Sequence, residues 1–371
     1  MSVLRLLQRP SGRVCERCLI PAMKLAIDAM GGDFAPRNIV AGAVEALRDN
    51  SRISHLYLVG DQARIDKELR KLGTPDSRIE VVHASEVIEM DDPPVLSVRR
   101  KKDSSMCRAV DLVKAGSADA IVSAGNTGAL LTASQLKLRT LEGVDRPGLA
   151  VLLPAPGNVS VLMDAGANLE PHPSNFVQYA IMGSLYSKQI LGYERPRVAL
   201  LSIGTEEMKG NELTLEAHRL LKQTDLNFVG NIDGHDLFSN RADVILTDAF
   251  VGNAVLKAVE STARLVAGWL KDELKKNPLR MLGAVLANGA FKALKRRADP
   301  DEYGGAVLLG INGICIKAHG ASSPKAAKNA IRVATEFIEC QFNEHIVEET
   351  RKFHDKVQQA QFTQSQVEAA S

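Results

Sequence analysis

The sequence predicts an α/β protein, a three-layer sandwich whose mainly parallel sheet carries helices on both faces. Three observations lead to that prediction. Short apolar runs such as Leu25-Ala26-Ile27, Leu56-Tyr57-Leu58-Val59 and Ala120-Ile121-Val122 alternate with longer amphipathic stretches. The runs are continuously apolar, as strands buried on both faces require; a half-solvated strand would alternate. Small and polar residues collect just beyond them, at Gly31-Gly32-Asp33, Gly125-Asn126-Thr127-Gly128, Asp164-Ala165-Gly166-Ala167-Asn168, 204–210 and Val251-Gly252-Asn253. Parallel α/β sheets bind ligands at the carboxyl ends of their strands, where these residues fall.

The elements follow in order. A strand at 25–27 leads to a helix over 36–48, with Ile39, Val40, Ala43, Val44 and Leu47 on one face. A strand at 56–59, a charged helix over 62–72 and a strand at 79–82 come next. Residues 109–114 lie on a helix before the strand at 120–122, which runs into the Gly-Asn-Thr-Gly turn. A new helix opens there with Leu130, Leu131, Leu136 and Leu138. Further strands fall at 149–153, 159–163, 198–202, 228–229 and 244–247. Residues 254–277 break the alternation: Val255, Val259, Ala263, Val266, Leu270 and Leu274 recur at helical spacing until Pro278. A second helix over 282–294 completes a helical hairpin inserted at 254–298. Gly310 and Gly313 divide 306–317 into a hairpin-like pair, and one long helix is expected from Pro324 to about residue 353.

These elements make a single domain over 23–353. Residues 1–22 mix Arg5, Arg9, Arg13 and Arg17 with Pro10 and Pro21 and lack the apolar core of a secretory signal. They read as a disordered extension before Met23, and 354–371, rich in Gln, Ala and Ser, as a flexible tail. A net charge of +2 argues against bulk nucleic-acid binding, and 4% aromatic residues against a base-stacking platform. No apolar run reaches the roughly 18 residues needed to span a bilayer. Five scattered cysteines, Cys15, Cys18, Cys107, Cys315 and Cys340, suggest a reducing, cytoplasmic compartment. The lone CxxC of Cys15 and Cys18 has no second pair to complete a zinc site.

Familiar catalytic signatures are absent. There is no GxxxxGK[ST], no GxGxxG after the first strand, no GxSxG elbow and no HExxH. What remains is an anion site: glycines let backbone N–H groups approach a ligand, and a helix N-terminus adds partial positive charge. Asp28 and Asp33 bracket the first turn, either as turn residue and helix cap or as functional carboxylates. Lys209, in a glycine-flanked turn, is either a solvated lysine or a phosphate ligand. His319 is either a structural turn histidine or an acid. Arg99, Arg100, Lys101 and Lys102 form a basic run that is ordinarily solvated but could meet an acidic protein. An apolar tip of Leu279, Met281, Leu282 and Val285, flanked by Lys271, Lys275, Lys276, Arg280, Lys292, Lys295, Arg296 and Arg297, suits an anionic membrane surface, a helical dimer interface, or both.

Taken together, the motifs DAMGGDFAP (28–36), RRKKDSSM (99–106), SAGNTGALL (123–131), DAGAN (164–168), GTEEMKGNEL (204–213), FVGNAVLK (250–257) and YGGAVLLGINGICIKAHGAS (303–322) resemble, in order, those of the bacterial PlsX-type phosphate acyltransferases. Thr205, Ala249 and Val307 depart from the expected Glu, Gly and Pro, and residues 1–22 fall outside the match. The resemblance implies an α/β/α fold like the isocitrate/isopropylmalate dehydrogenase and phosphotransacetylase group. It also implies a homodimer, peripheral at the membrane, that makes acyl phosphate from acyl-[acyl-carrier protein] and inorganic phosphate. The product would pass to a membrane glycerol-3-phosphate acyltransferase for phospholipid synthesis, with no metal or nucleotide cofactor. A phosphotransacetylase-like enzyme using acyl-CoA is the alternative.

Under that reading phosphate attacks the thioester directly, and no side-chain nucleophile is needed. Phosphate would lie against Gly32, Asp33 and the N–H groups of Gly125 to Gly128, with Asn126 and Thr127. Lys209 would neutralise charge, and Asn168 and Asn253 would orient the acyl carbonyl or phosphate. Asp28, Asp33 and Asp164 would position these donors, and His319 would protonate the departing thiolate. The basic run would dock the acidic carrier protein.

Overall fold

The structure, a computed structural model, describes residues 22–73, 75–298 and 300–370, with the side chains of 295–298, 300 and 357–370 outside that description. The expectations for 1–21, for Cys15 and Cys18 and for the side chains of Lys295, Arg296 and Arg297 fall outside it too.

Eleven strands form one sheet: β1 (Met23–Asp28), β2 (Ile53–Gly60), β3 (Ile79–His83), β4 (Ala120–Ser123), β5 (Gly148–Ala155), β6 (Asn158–Met163), β7 (Val198–Leu201), β8 (Phe228–Ile232), β9 (Val244–Leu246), β10 (Ala306–Leu309) and β11 (Ile314–Lys317). Their order across the sheet is β3-β2-β1-β4-β11-β10-β5-β6-β9-β7-β8. Pairing is parallel except where β10 meets β11 and β5, and where β5 meets β6. The mainly parallel α/β architecture is therefore as expected.

The strand β5 divides the sheet into two halves. It pairs with β10 through residues 148–150 and with β6 through 151–155. The β6 half is therefore displaced along β5 toward its carboxyl end. The strands β1, β4 and β11 run with β5, whereas β6, β9 and β7 run against it, so the carboxyl ends of the two halves point toward each other across this step. Lys317 lies opposite Ala306, one residue beyond the Val307–Ala150 pair. Met163 follows the Leu162–Val151 pair. The two strand ends thus reach nearly the same level, three strand spacings or about 14 Å apart.

Helices cover both faces: α1 (Arg37–Asp49), α2 (Gln62–Leu72), α3 (Pro94–Arg100), α4 (Ser105–Lys114), α5 (Thr127–Leu138), α6 (Pro173–Gln189), α7 (Glu212–Leu221), α8 (Ala249–Lys275), α9 (Pro278–Leu286), α10 (Asn288–Ala298), α11 (Pro324–Glu339) and α12 (Phe342–Ala370). Strand side chains alternate between faces. Leu25, Ile27, Val122, Ile316, Val161 and Val244 share one core with α1, α6 and α11 that runs through both halves. On the other face the core is interrupted. Ala26, Ile121 and Cys315 pack with α4 and α5 in one cluster, while Leu162, Ala199 and Ile245 belong to a second. By alternation Asp28, Ser123 and Lys317 lie on this interrupted face.

Two expectations are corrected. The single C-terminal helix is two, broken at Gln341, which takes a φ of 48°. The break swings Phe342 against Phe337 and Tyr186, with ring centroids 4.6 and 6.4 Å apart, and one left-handed residue leaves no mark on periodicity. The helix expected at 254–277 begins five residues earlier, at Ala249, where Asp248 accepts from the Val251 N–H at 2.9 Å. The stretch at 282–294 comprises parts of α9 and α10. The backbone of α12 is helical to Ala370.

Candidate functional site

Three turns meet at the carboxyl ends of β1, β4 and β11. Asp28, at the end of β1, is buried and accepts the Ser123 hydroxyl at 2.6 Å, while Ser123 Oγ accepts the Gly125 N–H at 3.1 Å. A Cβ on Gly31 would lie 2.6 Å from the Gly125 nitrogen. Gly32 has a φ of +97°, and a Cβ there would lie 2.7 Å from the Gly320 carbonyl oxygen. That carbonyl also accepts the Asp33 N–H at 2.8 Å. Only glycine permits both the conformation and the approach. Burial pushes the Asp28 carboxyl above its ordinary range, and the Ser105 and Ser123 hydroxyls pull it back.

The Gly-Asn-Thr-Gly turn opens α5 as expected, but the Asn126 side chain is already engaged. Its Oδ1 accepts the Ala129 N–H at 3.0 Å, and its amide donates to the carbonyls of Glu89, Met90 and Asp92. Asn126 therefore builds a wall of the site and has no free amide to offer an anion. The N–H groups of Thr127 and Gly128, in the first turn of α5, have no intrahelical acceptor. Beside this wall a cleft of about 330 Å³ is lined by Met30, Gly32, Asp33, Ile88, Glu89, Met90 and Asp91. Asp33 is exposed and does not cap α1, whose N-cap is Pro36. His319 is exposed too, and its Nδ1 accepts the Ala321 N–H at 3.2 Å. The neutral ring then carries its proton on Nε2.

A second group of turns lies on the other half-sheet. Asp164 is fully buried and accepts the N–H groups of Leu149, Gly166, Ala167 and Asn168 at 2.8–3.0 Å. Burial pushes its carboxyl up, against those donors. It organises the 164–168 turn from inside. The Asn168 amide nitrogen reaches the Pro147 carbonyl, the Tyr179 hydroxyl and Asp164, so it too is engaged. The Asn168 carbonyl accepts the Ala249 N–H at 3.2 Å, which seats the start of α8 on this turn. Asn253 is exposed on α8 beside Gly252, and Lys209 is exposed in the turn after β7 with no ion pair among the described residues. Glycine, aspartate and asparagine thus gather on both halves, although they are distant in sequence.

Periodicity and turn motifs did not single out Lys317. It ends β11 beside Ser123, is 8% exposed, and donates to the Ala318 carbonyl. Burial first, then the Lys257 charge, hold its ammonium down to about 8, while Asp28 and Asp33 act the other way. A lysine closing an apolar strand reads in sequence as a strand end. Only the neighbouring strands show that it points into the site.

The basic run is split by the fold. Arg99, Arg100 and Lys102 are exposed. Lys101 is drawn inward, where it pairs with Asp92 at 2.5 Å and donates to the Val87 carbonyl at 2.9 Å. It is therefore removed from the docking surface expected of it. At the far end of α8, the tip residues Leu279, Met281, Leu282 and Val285 are all exposed, as is Trp269.

The profile of the family described as "Fatty acid synthesis protein" matches residues 23–345. The chain belongs to this family. It is 49% identical over 324 residues to a phosphate acyltransferase of Pelotomaculum thermopropionicum, covering 87% of this chain and 94% of that one. It is 46% identical over 333 residues to a phosphate acyltransferase of Akkermansia muciniphila, covering 88% and 95%. At this similarity the chain is a transferase of the phosphate acyltransferase class. Among solved structures, the fold is similar to a phosphotransacetylase from Streptococcus pyogenes, with a TM-score of 0.57 and 18% identity over 88% of this chain and 96% of that one. It is similar also to a branched-chain phosphotransacylase from Enterococcus faecalis, with a TM-score of 0.54 and 15% identity over 85% and 99%. At such identities the likeness is one of fold.

Proposed function

We propose that the protein transfers an acyl chain from acyl-[acyl-carrier protein] to inorganic phosphate, releasing acyl phosphate for phospholipid synthesis. One observation carries this reading. Large apolar side chains stand exposed on the same turns as the polar candidates: Phe34 after Asp33, Leu169 after Asn168, Ile203 and Met208 around Lys209, and Phe250 near Asn253. Single exposed apolar residues are ordinary, but such residues on several facing turns offer an acyl chain a surface.

A phosphate oxygen attacks the thioester carbonyl carbon, forming a C–O bond and a tetrahedral oxyanion. Collapse breaks the C–S bond and frees the carrier thiolate, which the His319 Nε2–H meets as a hydrogen-bond donor and which takes up the proton released by the attacking hydrogen phosphate. The Thr127 and Gly128 N–H groups and Lys209 face the anions, and Asn253 orients the carbonyl. Asn126, Asp28, Asp164 and Asn168 hold the turns in place from behind. Holding both reactants together lowers the barrier by up to roughly 7–11 kcal/mol, and each well-placed donor by roughly 3–4. Arg99, Arg100 and Lys102 receive the acidic carrier protein. The α8–α10 helices pair two subunits and carry the apolar tip to an anionic membrane, where a glycerol-3-phosphate acyltransferase takes the product.

Hydroxylamine trapping tests the reaction. Purified protein, phosphate and an acyl-carrier thioester should yield acyl hydroxamate only when all three are present. Equal yield from acyl-CoA would discard the carrier as the specific donor. An acyl group bonded to a side chain midway would discard direct attack.

A further inference from the structure

Lys317 is nine-tenths buried at the point where the two half-sheets face each other, yet no carboxylate lies within 4 Å of its ammonium among the described residues. Its one hydrogen bond goes to the carbonyl of its own neighbour, Ala318. An ammonium has three N–H donors, so two remain. A buried charge left this way is costly unless an anion arrives to meet it. The surroundings show where the anion would sit. Asp28 and Asp33 lie toward the β1 turn, and Lys257, on α8, lies close enough for its charge to bear on Lys317 from the other half. Lys257 is exposed and pairs with Glu260 at 3.3 Å. One buried and one exposed cation, carried on opposite halves, are therefore near enough to act on one anion between the halves.

We propose that Lys317 contacts inorganic phosphate directly, its ammonium and that of Lys257 holding the phosphate between the two half-sheets. This rests on the acyl-transfer reading above and deepens it by placing the nucleophile. Lys317 gives hydrogen bonds to phosphate oxygens and transfers no proton. The bonds made and broken remain those of the attack on the thioester. Lysine suits the task because its compact ammonium donates to phosphate oxygens in several directions.

The test uses the full chain, inorganic phosphate and no thioester, so it is independent of acyl transfer. Equilibrium dialysis with labelled phosphate compares the unsubstituted protein with Lys317→Met, which keeps the length of the side chain without its charge. Loss of a charge-assisted contact should weaken phosphate binding by roughly 10- to 100-fold. In turnover, the Michaelis constant for phosphate should rise while that for the acyl donor stays within about twofold. Unchanged phosphate affinity in a folded Lys317→Met protein overturns the proposal, as does an unsubstituted protein that binds no phosphate. If Lys317→Met does not fold, Lys257→Met carries the test from an exposed position, and unchanged affinity there overturns the proposed pairing. A protein that binds phosphate through Lys317 but makes no acyl phosphate would instead sink the acyl-transfer reading and leave this one standing.

Discussion

The His218 ring and the Asn231 amide hold the Lys209 turn from below, and neither touches the Lys209 ammonium. His218 Nδ1 lies 2.8 Å from Asn231 Oδ1, and the Asn231 amide donates to the carbonyls of Glu206 at 2.9 Å and Lys209 at 3.4 Å. Both side chains are buried, in α7 and β8. An exposed lysine thus gains a fixed backbone from a buried pair that never reaches the solvent.

Replacing Asn231 with Leu should loosen this turn. The Glu206 and Lys209 carbonyls each lose one of two donors, keeping the Lys209 N–H at 3.0 Å and the Ser202 hydroxyl at 2.7 Å respectively. The buried His218 Nδ1 loses its partner, a cost of about 1–3 kcal/mol for a group left unpaired. We expect a lower urea midpoint and a turnover number reduced about tenfold or more, as when a single anion-stabilising donor is lost. Lys209→Ala should cut turnover at least as far with the urea midpoint unchanged. Near-normal turnover in both variants would remove Lys209 from the reaction.

Gly252 and Gly268 lie in the same helix and should respond in opposite directions to alanine. A Cβ on Gly252 would fall 2.0 Å from the Asp164 carbonyl oxygen, whereas Gly268 has nothing within 4 Å. Gly252→Ala must push α8 off the 164–168 turn, destabilising by about 1–3 kcal/mol or more. Gly268→Ala should stabilise by up to about 1 kcal/mol, since alanine is the better helix former. Thermal melts of the two variants read both signs.

Asp28 makes stability depend on pH. Its folded carboxyl titrates above the ordinary value of 3.8. Between 3.8 and that raised value the folded state binds more protons than the unfolded one, so stability falls as pH rises through the window. Asp28→Asn abolishes this titration. The variant should therefore gain stability relative to the unsubstituted protein as pH climbs above 3.8, and the gap should be constant below it. Urea titrations at several pH values would show a pH-independent gap if Asp28 did not contribute.

The basic run should divide by function. Arg100→Ala and Lys102→Ala should raise the Michaelis constant for the carrier thioester, most at low salt, because exposed charges are screened over about 8 Å at physiological ionic strength. Lys101→Ala should instead lower stability, since it strips Asp92 of its partner and the Val87 carbonyl of its donor. Steady-state kinetics across a salt series, with melts alongside, separate the two. A salt-independent Michaelis constant would discard the docking surface.

Leu282→Asp, at the exposed tip, should leave turnover on soluble carrier thioester unchanged and reduce co-sedimentation with anionic vesicles. Placing a charge on the apolar face of a helix at a membrane surface opposes insertion. Undiminished sedimentation would show that the tip does not meet the membrane.

By itself, the sequence determined the alternation of strands and helices, the mainly parallel sheet and the turns on which the site is built. Each of these is local: an apolar run, a glycine that must take a left-handed φ, or an asparagine at the head of a helix is visible within a few residues. Tertiary structure decided what each side chain does. Asn126 and Asn168 look like free amide donors in the sequence, yet their amides are engaged with carbonyls of other loops. Lys101 looks like its three basic neighbours until Asp92 draws it inward. Lys317 is ordinary until β11 comes to rest between β4 and β10. Hydrogen bonding, burial and charge are properties of neighbours brought together from distant parts of the chain. The facing strand ends likewise depend on a one-residue relation between two pairings of β5, which no local pattern records.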